Sequence, residues 1–437
     1  MKYKVLKLLL CASIATVSTS FLSAETSATE TALSSGINLQ HRTETGKLAE
    51  FQSAVMEGKH SVVDQMLLHD PWLLNAIDHS GATPLHVASY FGSVEGVRLL
   101  LDRGAKTDVK TPKGWTPLYT TLLASSNVDL AIEKRGDFLA GRNVATRLAK
   151  ESVDHLTSQR EEVTKELLTR NPKLANMGDN DGLTPLHLAA LQDSPTATIG
   201  LLAAGAKVNV HDRHGVTPLH LAAAHNRLGA VEALIANKLT EVDTRDQQGR
   251  TPLHIAASLG NGNIASLILT RSTHINNRDR EGMTPLHRAV AGGHQGLANL
   301  LIEKGANVNS TLGAGMAPIH IAAFHNDMDT VMLLLQKGAR IDLRDSLGMT
   351  PLHVAISEGH TNLASHLIDR GAHVNVMAAD RRTPLHIAVF RNDREAVQLL
   401  LSSGAKARVR DRSGITPLQM AVVANHADIA NLLKERG

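Results

Sequence analysis

The sequence predicts an all-α stack of helical hairpins, each about 33 residues long. Three observations predict it. The tetrapeptide Thr-Pro-Leu-His, or a near copy, begins at Thr83, Thr116, Thr184, Thr217, Thr251, Thr284, Ala317, Thr350, Thr383 and Thr416, at intervals of 33, 68, 33, 34, 33, 33, 33, 33 and 33 residues. Ten of the 14 prolines occupy the second place of that motif, so proline here marks one fixed point of a repeating unit. Six Phe, three Tyr and two Trp make only 3 % of the 437 residues. A single large core leans on bulky rings, whereas thin layers of Ala and Leu between close helices do not.

In chain order, the first segment reads as an export signal. Lys2, Lys4 and Lys7 give a positive start, Leu8 to Val17 are mostly apolar, and Ser23 and Ala24 offer a small-residue cleavage site before Glu25. The apolar part is shorter than the roughly 20 residues a spanning helix needs, so no membrane insertion is expected once residues 1–24 are removed. Leu10 before Cys11 is a poor match to a lipoprotein signal. Cys11 is the only cysteine, so the processed chain would enter an oxidising compartment with no thiol to mispair. The compact lysine-started signal suggests a bacterial origin and a periplasmic or secreted destination. Residues 25–46, rich in Thr, Ser, Ala and Glu, read as a flexible linker.

From 47 onward the repeating unit dominates. Thr offers an N-cap oxygen, and Pro follows at the first helical position, where its missing N–H costs nothing. Leu352 and Ala355, or Leu385 and Ala388, then face inward, and a break such as Glu358-Gly359-His360 ends this short helix. A second helix follows with apolar residues three and four apart, as in Val94, Val97, Leu100 and Leu101, or Met328, Val331, Leu334 and Leu335. Gly-Ala closes it in most copies. The link to the next copy, as in Asp212-Arg213-His214-Gly215, is a tight turn.

This unit resembles the ankyrin repeat over nearly all of residues 47–437. The resemblance implies a curved solenoid of about 11–12 helix-turn-helix units joined by β-hairpin-like loops, with terminal units acting as caps. A degenerate N-terminal capping repeat spans 47–82 and a C-terminal one 416–437, the latter with Gln419 in place of His. The 68-residue interval marks residues 120–180 as a helical insertion or a degenerate repeat. Leu148, Val153, Leu156, Val163 and Leu167 keep near-helical spacing there.

Little chemistry is expected. Lys and Arg number 45 against 42 for Asp and Glu, which lacks the basic excess of a nucleic-acid binder. Of the 23 histidines, His86, His187, His220, His254, His287, His320, His353 and His386 hold the fourth motif place. The resemblance implies that this ring bonds the motif Thr and nearby backbone. His211, His214, His220 and His225 match no compact zinc spacing, so no metal and no cofactor is expected. No Gly-x-Ser-x-Gly elbow, phosphate loop or mature-chain cysteine nucleophile is present, so no catalytic residue is assigned.

The resemblance further implies contact positions four, three and one residues before the motif Thr and seven and eight after it. In this chain they hold Tyr90, Phe91, Trp115, Met283, Met316, Phe324, His325, Met349, Arg382, Phe390 and Arg391. Aromatic and Arg anchors suit a docking groove, and Met adapts to a partner's shape. The methionines can equally be read as packing against neighbouring loops. The expected function is that of an exported, monomeric scaffold binding a protein partner. The alternatives are a toxin-like effector with a separate activity in 120–180 and a structural envelope component. Arg381 in place of a turn Gly, and Leu312 and Ala378 in place of the loop Asp, are expected soft spots.

Overall fold

The computed structural model describes residues 39–124 and 153–436. The expected signal, most of the expected linker, and residues 125–152 of the irregular stretch, Leu148 among them, lie outside the described residues. The chain divides into two compact units at Gln247–Gln248.

Before that division five helical pairs follow one another: Leu39–Met56 with His60–His69, Pro84–Phe91 with Val94–Asp102, Pro117–Leu123 with Val153–Arg170, Pro185–Leu191 with Pro195–Ala203, and Pro218–Ala224 with Leu228–Ala236. The second unit holds six more. They are Pro252–Leu259 with Gly262–Leu269, Pro285–Ala291 with Gln295–Glu303, Pro318–Phe324 with Met328–Gln336, Pro351–Glu358 with Thr361–Asp369, Pro384–Phe390 with Arg394–Ser402, and Pro417–Val423 with Ala427–Arg436. No strand occurs among the described residues, and none of their helices is long and apolar enough to cross a membrane. This is an all-α repeat solenoid fold.

Each first helix starts where the motif places it. Thr83 is extended (φ −87°, ψ 165°), and its Oγ1 accepts from the His86 N–H while Pro84 opens the helix. Gly92 ends that helix in the left-handed region, and Asn226, Asn326, Asn392 and Asn425 do the same elsewhere. Asn tolerates this conformation better than other side chains. The second helices bury the i, i+3 pairs read from the sequence, Val97 with Leu100 and Val331 with Leu334, and likewise Val397 with Leu400, all at 0 % exposure. Burial of each such side chain contributes about 1.5–3 kcal/mol, and no unit can bury its face alone.

The first helix begins at Leu39, ahead of the boundary expected at 47. Its start has no proline, and Leu, Gln, Arg and Glu all suit a helix. Between Thr116 and Thr184 the described residues form one helical pair. Its first helix packs between Pro84–Phe91 and Pro185–Leu191, and its second between Val94–Asp102 and Pro195–Ala203. First helices such as Pro318–Phe324 and second helices such as Gln295–Glu303 sit in the same way between those of the copies before and after them. Val163 and Leu167 are fully buried, and Arg98 pairs with Glu162 and Glu166 at 2.5 and 2.9 Å. Among the described residues the 68-residue interval thus shows one helical pair, its two helices far apart in sequence.

Candidate functional site

The motif histidine is a tie between units. In the Thr83 copy, the Thr83 N–H and Oγ1–H both point to His86 Nδ1, at 3.1 and 2.8 Å. With Nδ1 accepting, Nε2 carries the proton and donates to the Trp115 carbonyl at 3.0 Å, 29 residues on. His187, His254, His287, His320, His353 and His386 repeat this, donating to the carbonyls of Val216, Met283, Met316, Met349, Arg382 and Ile415. All seven rings are buried or nearly so, and burial pushes His86, His187, His254, His287 and His353 down to about 4. Tyr119 stands in for His in the Thr116 copy, and its hydroxyl donates to Asp179 at 2.7 Å. Gln419 in the last copy accepts only from its own Thr416. These groups are occupied in holding the stack, and a buried neutral imidazole with both nitrogens engaged has no capacity left for proton transfer.

Other polar residues share that work. His294, His360 and His426 in the helix breaks reach the Ser258, Phe324 and Val389 carbonyls of the preceding copy. Asn176, Asn309 and Asn375 each accept from one backbone N–H and donate to one carbonyl of the next copy. The asparagines were missed in the sequence, although their 33-residue recurrence at Asn276 and Asn309 was a usable signal. Among the described residues no three His, Cys, Asp or Glu side chains gather as a metal set.

The remaining surface is where a partner can touch. Adjacent loop tips are hydrogen-bonded to each other, as from Ser346 N–H to Ala314, Ala379 N–H to Leu347 and Arg412 N–H to Asp380, at 2.9, 2.7 and 2.8 Å. At the end of its helix Phe390 is 66 % exposed, with the Arg382 guanidinium 5.9 Å from its ring centre. Such a stacked cation and ring are worth about 0.5–1 kcal/mol at an exposed site.

Comparison with known proteins agrees with the geometry. A family model described as ankyrin repeats in three copies matches residues 155–246, 237–312, 309–378 and 374–437, and one described as ankyrin repeats in many copies matches 66–119. The chain belongs to the ankyrin-repeat family. Among similar proteins is a transient receptor potential cation channel subfamily A member 1 homolog of Caenorhabditis elegans, 28 % identical over 164 residues, which are 36 % of this chain and 12 % of that protein. An ankyrin repeat-containing protein of Schizosaccharomyces pombe is 40 % identical over 73 residues, 16 % of this chain and 31 % of that one. Neurogenic locus notch homolog protein 1 of Danio rerio is 32 % identical over 173 residues, 37 % of this chain and 6 % of its own length. The chain thus spans less than a third of each of these relatives.

Ankyrin repeats generally mediate protein–protein interaction, so the contact positions expected above are the ones to place. The structure separates them into three sets. Met283, Met316, Phe324 and Met349 are buried, at 2, 3, 6 and 9 % exposure. They pack inside the ankyrin stack and offer a partner almost no surface, contrary to the docking groove expected from their register. The Met283, Met316 and Met349 carbonyls are the ones the motif histidines hold. Tyr90 and Phe91 are half-buried and meet edge to face at 5.3 Å. Trp115 is half-buried, stacked on Tyr119 at 6.0 Å, with the Lys113 ammonium 4.9 Å from its ring centre. His325, Phe390 and Arg391 are exposed, and Arg382 is partly so. Arg382, Phe390 and Arg391 come together in one copy; the others are spread along the chain.

Proposed function

We propose that this ankyrin-repeat chain is an exported scaffold that docks a protein partner without catalysis of its own. One observation carries the reading. In a chain with 3 % aromatic residues, Phe390 stands 66 % exposed beside Arg382, at a contact position of the repeat, in a copy with no other Phe, Tyr or Trp. An exposed ring beside arginines is the composition of a binding hot spot rather than of an ordinary solvated face. The motif histidines, the most numerous candidates for chemistry, are engaged in structural bonds. Export is supported by the charged start, the short apolar run and the small residues before Glu25, and by the absence of any cysteine after Cys11.

The test uses the immobilised chain beginning at Glu25 with bound proteins identified by mass spectrometry. A partner retained by this chain and lost with Phe390→Ala, at an unchanged thermal midpoint, supports the docking face. Equal capture by both proteins overturns it. Export is tested separately by fractionation with and without residues 1–24; retention of the full chain in the cytoplasm overturns that part.

A further inference from the structure

The loops between Arg344 and Arg412 carry more positive charge than their own carboxylates neutralise. Arg344, Arg381, Arg391, Arg410 and Arg412 are all exposed, and the ion pairs of this stretch join other groups. Where these guanidinium groups have a partner it is a carbonyl: Arg344 donates to Met377, Arg391 to Ser357 and Arg410 to Gly414. The nearby carboxylates are committed. Asp345 and Asp411 are buried and accept the N–H groups of their own turns, while Asp342 is held by His373 and Asp380 faces Arg382.

Arg381 adds a second, independent observation. Nine loop tips place Gly in the left-handed region, at φ from 70° to 83°, and Arg381 adopts φ 63° at the same place. A non-Gly residue there costs about 1–2 kcal/mol. The strain sets a cation on the tip, and retained strain of this kind points to a use. Apolar surface lies beside the charge: Phe390, Met377 and Leu347 are 66, 40 and 37 % exposed. The loops carrying Leu347, Met377, Arg381 and Arg412 are joined by the Ala379-to-Leu347 and Arg412-to-Asp380 bonds, and Phe390, the last residue of Pro384–Phe390, meets that ladder through Arg382.

Resting on the docking face proposed above, we infer that this stretch binds an extended acidic peptide segment of its partner. The partner's carboxylates meet Arg344, Arg381 and Arg412, and one apolar side chain rests on Phe390. Spaced carboxylates fit better than a phosphate backbone, because Asp342 and Asp380 stand among the arginines and would repel an evenly charged strand. The net charge of +3 for the whole chain makes this a local cationic surface, not a general polyanion binder.

Fluorescence polarisation on the full chain tests this. The probes are a labelled pool of peptides of about 12 residues built from Asp, Glu, Leu, Phe, Gly and Ser, a matched pool with Asn and Gln for the acids, and random single-stranded RNA. The acidic pool is expected to bind roughly tenfold tighter than the amide pool, with affinity falling as salt rises. The combined Arg344→Gln, Arg381→Gln and Arg412→Gln changes should erase that preference at an unchanged melting midpoint, and Phe390→Ala should weaken both pools. Equal, Phe390-dependent binding of both pools overturns the acidic chemistry while the docking face stands. Tighter binding of RNA than of the acidic pool overturns the peptide assignment. Binding by neither pool, or binding untouched by any of these changes, overturns the peptide assignment and the docking face together.

Discussion

Phe324 and Phe390 stand seven residues after the first motif residue in two copies, yet one is 6 % exposed and the other 66 %. Register alone cannot tell them apart, since burial at this place is decided by what adjacent copies lay over the ring. The two therefore predict opposite mutational outcomes. Phe324→Ala should lower stability by about 3–5 kcal/mol, because a buried ring leaves a cavity the stack cannot fully close. Phe390→Ala should stay within about 0.5 kcal/mol, as surface changes do. Denaturant unfolding of the two variants checks this, and a large loss for Phe390→Ala would place its ring in the core. Met283 and Met316 belong with Phe324. Their shared place was legible in the sequence, but their burial was not.

At the scale of the element, the unit is set by local rules that act within a few residues. Thr caps, Pro starts, Gly or Asn stops, and a loop Asp accepts two turn N–H groups, as Asp345 does from Leu347 and Met349 at 2.8 Å each. Gly at the tip has a tertiary reason as well: at Gly348 a Cβ would come within 2.8 Å of the Ala379 nitrogen. Arg381 breaks this rule, and its neighbour Ala378 lacks the Asp acceptor. The Arg381→Gly variant is expected to raise stability by about 1 kcal/mol by relieving the left-handed strain. A higher denaturation midpoint together with weaker acidic-peptide binding would show that strain and charge are coupled at this tip. No gain in the midpoint would show that the arginine is accommodated without cost.

Across the whole molecule, the histidine ties make stability depend on pH. His86, His187, His254, His287 and His353 are held down to about 4 by burial, whereas an unfolded histidine takes its proton near 6.5. Between those values the unfolded chain binds protons that the folded chain refuses. Stability is therefore complete above about 6.5 and is lost as pH falls toward about 4, by about 1.4 kcal/mol per pH unit for each such ring. Melting midpoints measured down through this window should fall steeply, and His353→Gln should make the fall shallower by one proton. A flat profile would mean the rings ionise in place. Gln419 shows that the chain itself uses Gln at this position, in a copy where the group bonds only its own Thr416.

By itself the sequence determined the repeat, its period, its helix starts and stops, and the family, because capping, proline placement and apolar spacing act over a few residues and recur. It also marked the irregular interval and the odd tip at Arg381. Only the tertiary structure decided what adjacent copies do to one another. It placed Val153–Arg170 as the partner of Pro117–Leu123, since a helix's role in a stack is set by which neighbours it packs against. It also buried the methionines while leaving Phe390 and its arginines outside. Whether a side chain at a repeated position meets protein or water depends on residues 33 or more positions away, and no local pattern carries that information.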